Sequence, residues 1–209
     1  MPRRTPPTLR ALPVAALLLF TVGCSGGDDK GETEAPLPTL REVLATDPAV
    51  NPTSFCDRID ERVFATTIGE VAGSTSYGNG ERATVAPGVE DVAHEVDCTF
   101  TGAEGIVARA WVFVPPVTPE RAKKLVTSAS GTRGCKTTPG REFGTPGLHT
   151  LCADGNAVTA TLQGLFTDTW FSCSLSVPDL EATRLDSTDV TVRADAWCAA
   201  ALSAASATS

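Results

Sequence analysis

The sequence predicts an α+β domain: an antiparallel β-sheet with helices packed on one face, stapled by three disulfides. Three observations carry this expectation. WFSCSLSV (170–177) sets Phe171, Cys173, Leu175 and Val177 against Ser172, Ser174 and Ser176, the period-two pattern of a half-buried strand. VRADAWCAAALSAA (192–205) gathers Ala194, Trp197, Cys198, Ala201, Leu202 and Ala205 on one helical stripe. Six cysteines lie beyond a short apolar leader, an even number suited to pairing in an exported chain. A strand with one wet face implies antiparallel pairing, because parallel sheets are covered on both sides.

The chain opens MPRRTPPTLR, with Arg3, Arg4 and Arg10 and no acid, and continues ALPVAALLLF. A basic start before a short apolar run is the layout of an export signal. Ten helical residues reach about 15 Å, roughly half a bilayer's hydrocarbon core, which is too short for a stable span. The run ends Thr21-Val22-Gly23-Cys24. This resembles a bacterial lipobox, with Thr21 standing where leucine is usual. The resemblance implies cleavage before Cys24 and lipidation of its sulfur by diacylglycerol with acyl chains of the palmitate class. More than one chain on a single residue gives durable anchoring to the cell membrane, on its extracytoplasmic face.

Residues 1–23 are accordingly expected to be the signal peptide. SGGDDKGETEAPLP (25–38) is rich in Gly, Pro and acid and has no apolar period, so residues 24–53 are expected to form a lipid-anchored flexible linker. Within it, LREVLAT (40–46) offers at most a helical turn. Residues 54–205 make a single extracytoplasmic domain, and 206–209 a disordered tail.

The full chain carries 17 basic and 25 acidic residues, a net charge of −8. Without the three leader arginines, 14 basic residues face 25 acidic ones, and the net charge becomes −11. An acidic chain with no basic stripe matches neither nucleic acid nor anionic lipid.

The first element of the domain is expected at 55–68. Ser54 and Asp57 have capping-box spacing, Phe55, Ile59, Val63 and Ile68 recur at helical intervals, and Gly69 is a stop. Residues 70–92 read as a long loop or hairpin, with Asn79-Gly80 as the turn. HEVDCTF puts His94, Val96, Cys98 and Phe100 on one strand face, and Glu95, Asp97 and Thr99 on the other. IVARAWVFV (106–114) is apolar on both faces apart from Arg109, as in a central strand, and Pro115-Pro116 ends it. Thr118-Pro119 opens a helix with the inner stripe Ala122, Leu125, Val126 and Ala129. Residues 131–147 read as a loop. NAVTATLQG (156–164) alternates again, WFSCSLSV follows, and a final helix is expected over 188–205.

FCDRI near the start of the first helix, Cys98-Thr99-Phe100 on a strand and the lipobox together resemble a group of uncharacterised actinobacterial cysteine-containing lipoproteins. The group usually has Trp where Phe100 stands. The resemblance implies an α/β sandwich and brings no biochemical activity with it.

Cys56, Cys98, Cys135, Cys152, Cys173 and Cys198 allow fifteen pairings. The preferred set is Cys56–Cys98, Cys135–Cys152 and Cys173–Cys198, which ties the first and last helices to the sheet and closes the Gly/Pro loop. The rival joins Cys56 to Cys198 and Cys98 to Cys173. Zinc sites use close pairs such as C-x2-C, and the nearest two cysteines here are 17 apart. A redox pair would need C-x-x-C with a lowered pKa, so the bridges read as reinforcement of a core poor in aromatic bulk.

His94 and His149 share no metal or triad spacing and read as hydrogen-bonded structural residues, with a base or ligand as the alternative. No nucleophile elbow, P-loop or dinucleotide fingerprint occurs, and no two acids are singled out as a glycosidase pair. Trp111, Trp170 and Phe171 are either core or the lining of a ligand groove. The expected function is that of a non-catalytic binding or envelope-associated module without a metal or cofactor. Its partner is the membrane, through the lipid anchor, and an envelope component, small ligand or membrane protein. The alternatives are a hydrolase or other enzyme with an unrecognised site, and a structural surface lipoprotein.

Overall fold

Among the described residues, nine strands and four α-helices make up the fold. A computed structural model describes residues 35–86, 88–138, 143–154, 157–178 and 185–207. Cys24, the expected leader, the first part of the expected linker and residues 208–209 lie outside the described residues. The fold belongs to the unit Pro36–Ser209.

The strands are β1 (Val71–Tyr77), β2 (Arg82–Ala86), β3 (Val89–Val92), β4 (Glu95–Gly102), β5 (Val107–Phe113), β6 (Cys135–Thr138), β7 (Gly147–Asp154), β8 (Ala157–Phe166) and β9 (Thr169–Pro178). Seven form one antiparallel sheet in the order β1-β4-β5-β9-β8-β7-β6, and β2 pairs with β3 in a separate hairpin. The helices are α1 (Leu40–Leu44), α2 (Arg62–Thr67), α3 (Pro119–Ser130) and α4 (Ser187–Ser206). The α+β class and the antiparallel sheet are as the sequence predicts.

Strand alternation decides the two faces. Val96, Cys98, Ala108, Ala110, Val112, Ala160, Leu162, Phe171, Cys173, Leu175 and Val177 point to one side and pack on α4. The expected stripe of α4 is fully buried there. Asp186 caps this helix by accepting from the backbone N–H groups of Thr188 and Asp189. α3 begins at Thr118-Pro119 as expected but lies against the opposite face, where Ala122, Leu125 and Val126 meet Leu165, Trp170, Trp111 and Phe113, so the helices do not all pack on the one face that the sequence predicts.

The three disulfides join Cys56 to Cys98, Cys135 to Cys152 and Cys173 to Cys198. This is the preferred connectivity, and the rival pairing does not occur. The second bridge links directly opposed residues of β6 and β7, and the third ties β9 to α4.

Several expectations need correction. Residues 39–51, expected to be part of the flexible linker, are ordered against the domain. Thr39 and Glu42 form a capping box for α1, Val43 and Val50 are buried in the core, and Asn51 N–H donates to Ala205 O at 3.0 Å. Leu37, Leu40 and Leu44 pack against the same core, so five apolar side chains draw this segment onto it.

The helix expected over 55–68 is broken into a 3-10 turn, Cys56–Arg58, and α2. Ser54 provides no cap, and Ile59 is extended. The Asp60 carboxylate accepts from the Arg62 backbone N–H at 3.0 Å and starts a new helix. Phe55, Ile59, Val63 and Ile68 are all buried nonetheless, and Gly69, at φ +77°, ends α2.

The span 70–92 contains β1, β2 and β3, with Asn79-Gly80 turning between β1 and β2. β1 (VAGSTSY) shows no apolar alternation because it is an exposed edge strand. Residues 131–147 include β6 and the start of β7, and His149 lies in β7 rather than in a loop. Residues 139–142 are outside the described set. Phe143 is buried against Phe166 and Phe171, and its carbonyl would lie 1.8 Å from a β-carbon on Gly164. Only glycine lets the backbones approach that closely.

Finally, Ser206 of the expected tail belongs to α4 and Ala207 caps it, while residues 208–209 lie outside the described residues.

Candidate functional site

The face of the sheet opposite α4 carries a row of polar side chains. Backbone register aligns Thr75, Thr99, Arg109, Ser174, Thr161, Thr150 and Thr137 across all seven strands. Six hydroxyl residues and one guanidinium thus share one line. α3 approaches β6, β7 and β8 and packs on Trp170 of β9 and on Trp111 and Phe113 of β5, so among the described residues its packing leaves the β1 and β4 end of the row open.

Arg109 organises the open end. Its Nε donates to the Asp97 carboxylate, and its Nη2 donates to the Tyr77 hydroxyl at 3.1 Å and to Glu95 Oε1 at 3.4 Å. Tyr77 donates to Glu95 Oε1, and Thr99 Oγ1 donates to Asp97 Oδ1 at 2.8 Å. Asp97 is buried and Arg109 is about one-third exposed (37% of its side chain). Burial works against the Arg109 charge, but the facing Asp97 outweighs it and the pKa rises. Burial pushes the Tyr77 hydroxyl above its ordinary value, and the bond to Glu95 and the Asp97 charge add to the rise. Each group satisfies another, so the cluster holds a guanidinium charged and a phenol protonated.

Beside it, a groove follows β1 on the helical side. One part, about 190 Å³, is lined by Asp57, Glu61, Phe64, Ser74 and Phe100 among others. The next part, about 340 Å³, runs past Ser54, Tyr77, Gly78, Glu81 and Val96. Both include Cys56 and Ser76, so the two parts adjoin. A separate hollow of about 340 Å³ is lined by His94, Phe113, Pro115, Val117 and Arg121.

The structure disperses most of the residues singled out from sequence. His94 is exposed and precedes β4, so it does not sit half-buried beside Cys98. His149 is buried in β7. Trp170 and Phe171 are neighbours on one strand, both fully buried and facing opposite sides, so they cannot line one groove. Trp111 is half-buried and packs edge-on against Phe113, with ring centroids 4.9 Å apart. Among the described residues, no three of His, Cys, Asp and Glu converge to hold a metal ion, and no helix is long and apolar enough to cross a membrane.

Sequence reasoning noticed Arg109 only as an exception in an apolar strand. Its partners were hidden because Tyr77 falls in a segment without strand patterning, and Asp97 is 12 residues away. The one available signal was the acidic pair Glu95 and Asp97 on the polar face of β4. No family model matches the chain, and no curated protein is significantly similar to it.

Proposed function

We propose that the chain is an exported protein, held on the extracytoplasmic face of the cell membrane by lipid on Cys24, whose folded domain binds an envelope partner and performs no chemistry. The observation that carries this reading is the cysteine pairing. Six of the seven cysteines form three bridges within the domain, which leaves Cys24, at the end of an apolar leader, outside the set. Such bridges persist in oxidising compartments. The Arg109 cluster supports binding over catalysis. Its carboxylates accept hydrogen bonds from Arg109, Tyr77 and Thr99, whereas a general base must be free to reach a substrate proton.

Mass spectrometry of the native protein from membranes tests the anchor. The expected product begins at Cys24, carries added diacylglycerol and has no free thiol. A chain beginning elsewhere without fatty acid, or carrying free sulfhydryls downstream, overturns the reading. Thermal-shift measurements against cell-wall fractions and lipid extracts test the binding: a saturable stabilisation is expected with at least one fraction, and none with any would sink it.

A further inference from the structure

β1 is a sheet edge of an unusual kind. It pairs only with β4, over an unbroken register from Gly73 to Tyr77. Half the backbone groups of an edge strand point away from its partner, and proteins ordinarily protect such edges with charge, proline, shortness or bulges. VAGSTSY contains no charged residue and no proline, and its one irregularity lies at the Val71 end. The opposite edge is different: β6 has four residues, includes Lys136 and is cross-linked to β7. Among the described residues, no backbone hydrogen bond reaches the outer edge of β1.

The groove alongside β1 tells what an added strand would carry. Phe64 and Phe100, with ring centroids 4.7 Å apart, and Ile59 give its first part apolar lining. Its rim is acidic: Asp57 and Glu61 line the first part and Glu81 the second, with no basic residue lining either. Asp57 and Glu61 are exposed. Alternate side chains of a strand laid on β1 would enter this groove. A lysine or arginine there lays its aliphatic stem over the phenylalanines and brings its charge to the acids. The five residues of the unbroken register, Gly73–Tyr77, match an extended segment about 17 Å long.

We propose that β1 is a docking edge for an extended basic peptide segment of another protein, which adds as an eighth strand with Lys or Arg at alternate positions in the groove. The mode is strand addition: backbone bonds supply affinity and alternate side chains supply selectivity. This rests on the binding-module reading above and names its partner class; it does not depend on the lipid anchor.

The test uses the full chain and a fluorescein-labelled decapeptide of alternating Thr and Lys, read by fluorescence polarisation. Saturable binding is expected, with protection of the Gly73–Tyr77 amides in hydrogen exchange. The same peptide N-methylated at every residue, and a Thr-Glu peptide, should bind about tenfold more weakly or worse, a difference of about 1.4 kcal/mol. The surface variant Asp57→Lys/Glu61→Lys should lose Thr-Lys binding and gain Thr-Glu binding. No binding of the Thr-Lys peptide overturns the proposal, as does equal binding of the N-methylated form. Protection of β1 by self-association at rising protein concentration assigns the edge to a second copy and also overturns it. If envelope fractions still stabilise the protein when the peptide fails, the binding-module reading stands and only this partner class falls.

Discussion

The indole Nε1 of Trp197 donates to the backbone carbonyl of Arg109 at 3.0 Å. Trp197 is fully buried on α4, while the side chain of Arg109 stands on the far side of the sheet. One residue of β5 is therefore held from both faces: its backbone by the helix and its guanidinium by the acids of β4. Phe64 and Phe100 surround the same indole, with centroids 6.3 and 5.7 Å away, so α2, β4, β5 and α4 meet at this point.

Trp197→Phe keeps most of the bulk and removes the donor. Losing one buried bond and some volume should cost about 2 kcal/mol, and Trp197→Ala about 4 kcal/mol. Urea unfolding measures both. Equal stability of Trp197→Phe and the natural protein would show that the bond contributes nothing.

Arg109→Met strands the buried Asp97 carboxylate. The cost should be about 2 kcal/mol, below the 3–5 kcal/mol typical of a fully buried pair because the guanidinium is partly in water. Adding Asp97→Val should recover much of the loss. A double variant whose cost is the plain sum of the two single costs would mean that the pair is uncoupled.

Tyr77 is the only tyrosine, so absorbance at 295 nm reports it alone. Its pKa is raised in the folded protein, by burial first and then by Glu95 and Asp97. A free tyrosine ionises near pH 10. The neutral form is the one the fold favours, so this contribution is complete below about pH 10 and falls away as pH climbs through the higher folded value. Ionisation should appear late and together with unfolding, and Tyr77→Phe should flatten the alkaline loss of stability. A reversible titration near pH 10 with the fold intact would contradict the geometry.

Non-reducing peptide mapping should recover the pairs 56–98, 135–152 and 173–198. A 56–198 peptide would refute this connectivity. Removing the middle bridge by Cys135→Ala/Cys152→Ala should cost about 3 kcal/mol by loop-closure entropy. The change should be local, because β6 is an edge strand whose strand partner is β7.

Much of the architecture was legible wherever a residue's face was set by burial alone. β8, β9, α3 and α4 have the expected span to within about two residues, because their apolar periods match their backbones. Phe55, Ile59, Val63 and Ile68 show the limit of that signal: their burial follows the period, but the helix is interrupted where Asp60 captures the Arg62 amide. Strands without an apolar face were illegible. β1 is polar because its surroundings are open, and β6 is short and exposed apart from its cysteine. The Arg109 cluster was illegible for a different reason. Tyr77 and Arg109 are 32 residues apart, and only the register of β1, β4 and β5 brings them within a hydrogen bond.

By itself, the sequence determined the class of fold, the core faces of its main elements and a cysteine count suited to three bridges. These depend on local periodicity and composition, which partition apolar and polar groups whatever the chain does elsewhere. Tertiary structure alone decided which strand lies at the open edge, which acids face Arg109 and where the acidic groove runs. Those are relations between distant residues, created when backbone pairing sets strand order and register, and no local pattern encodes them.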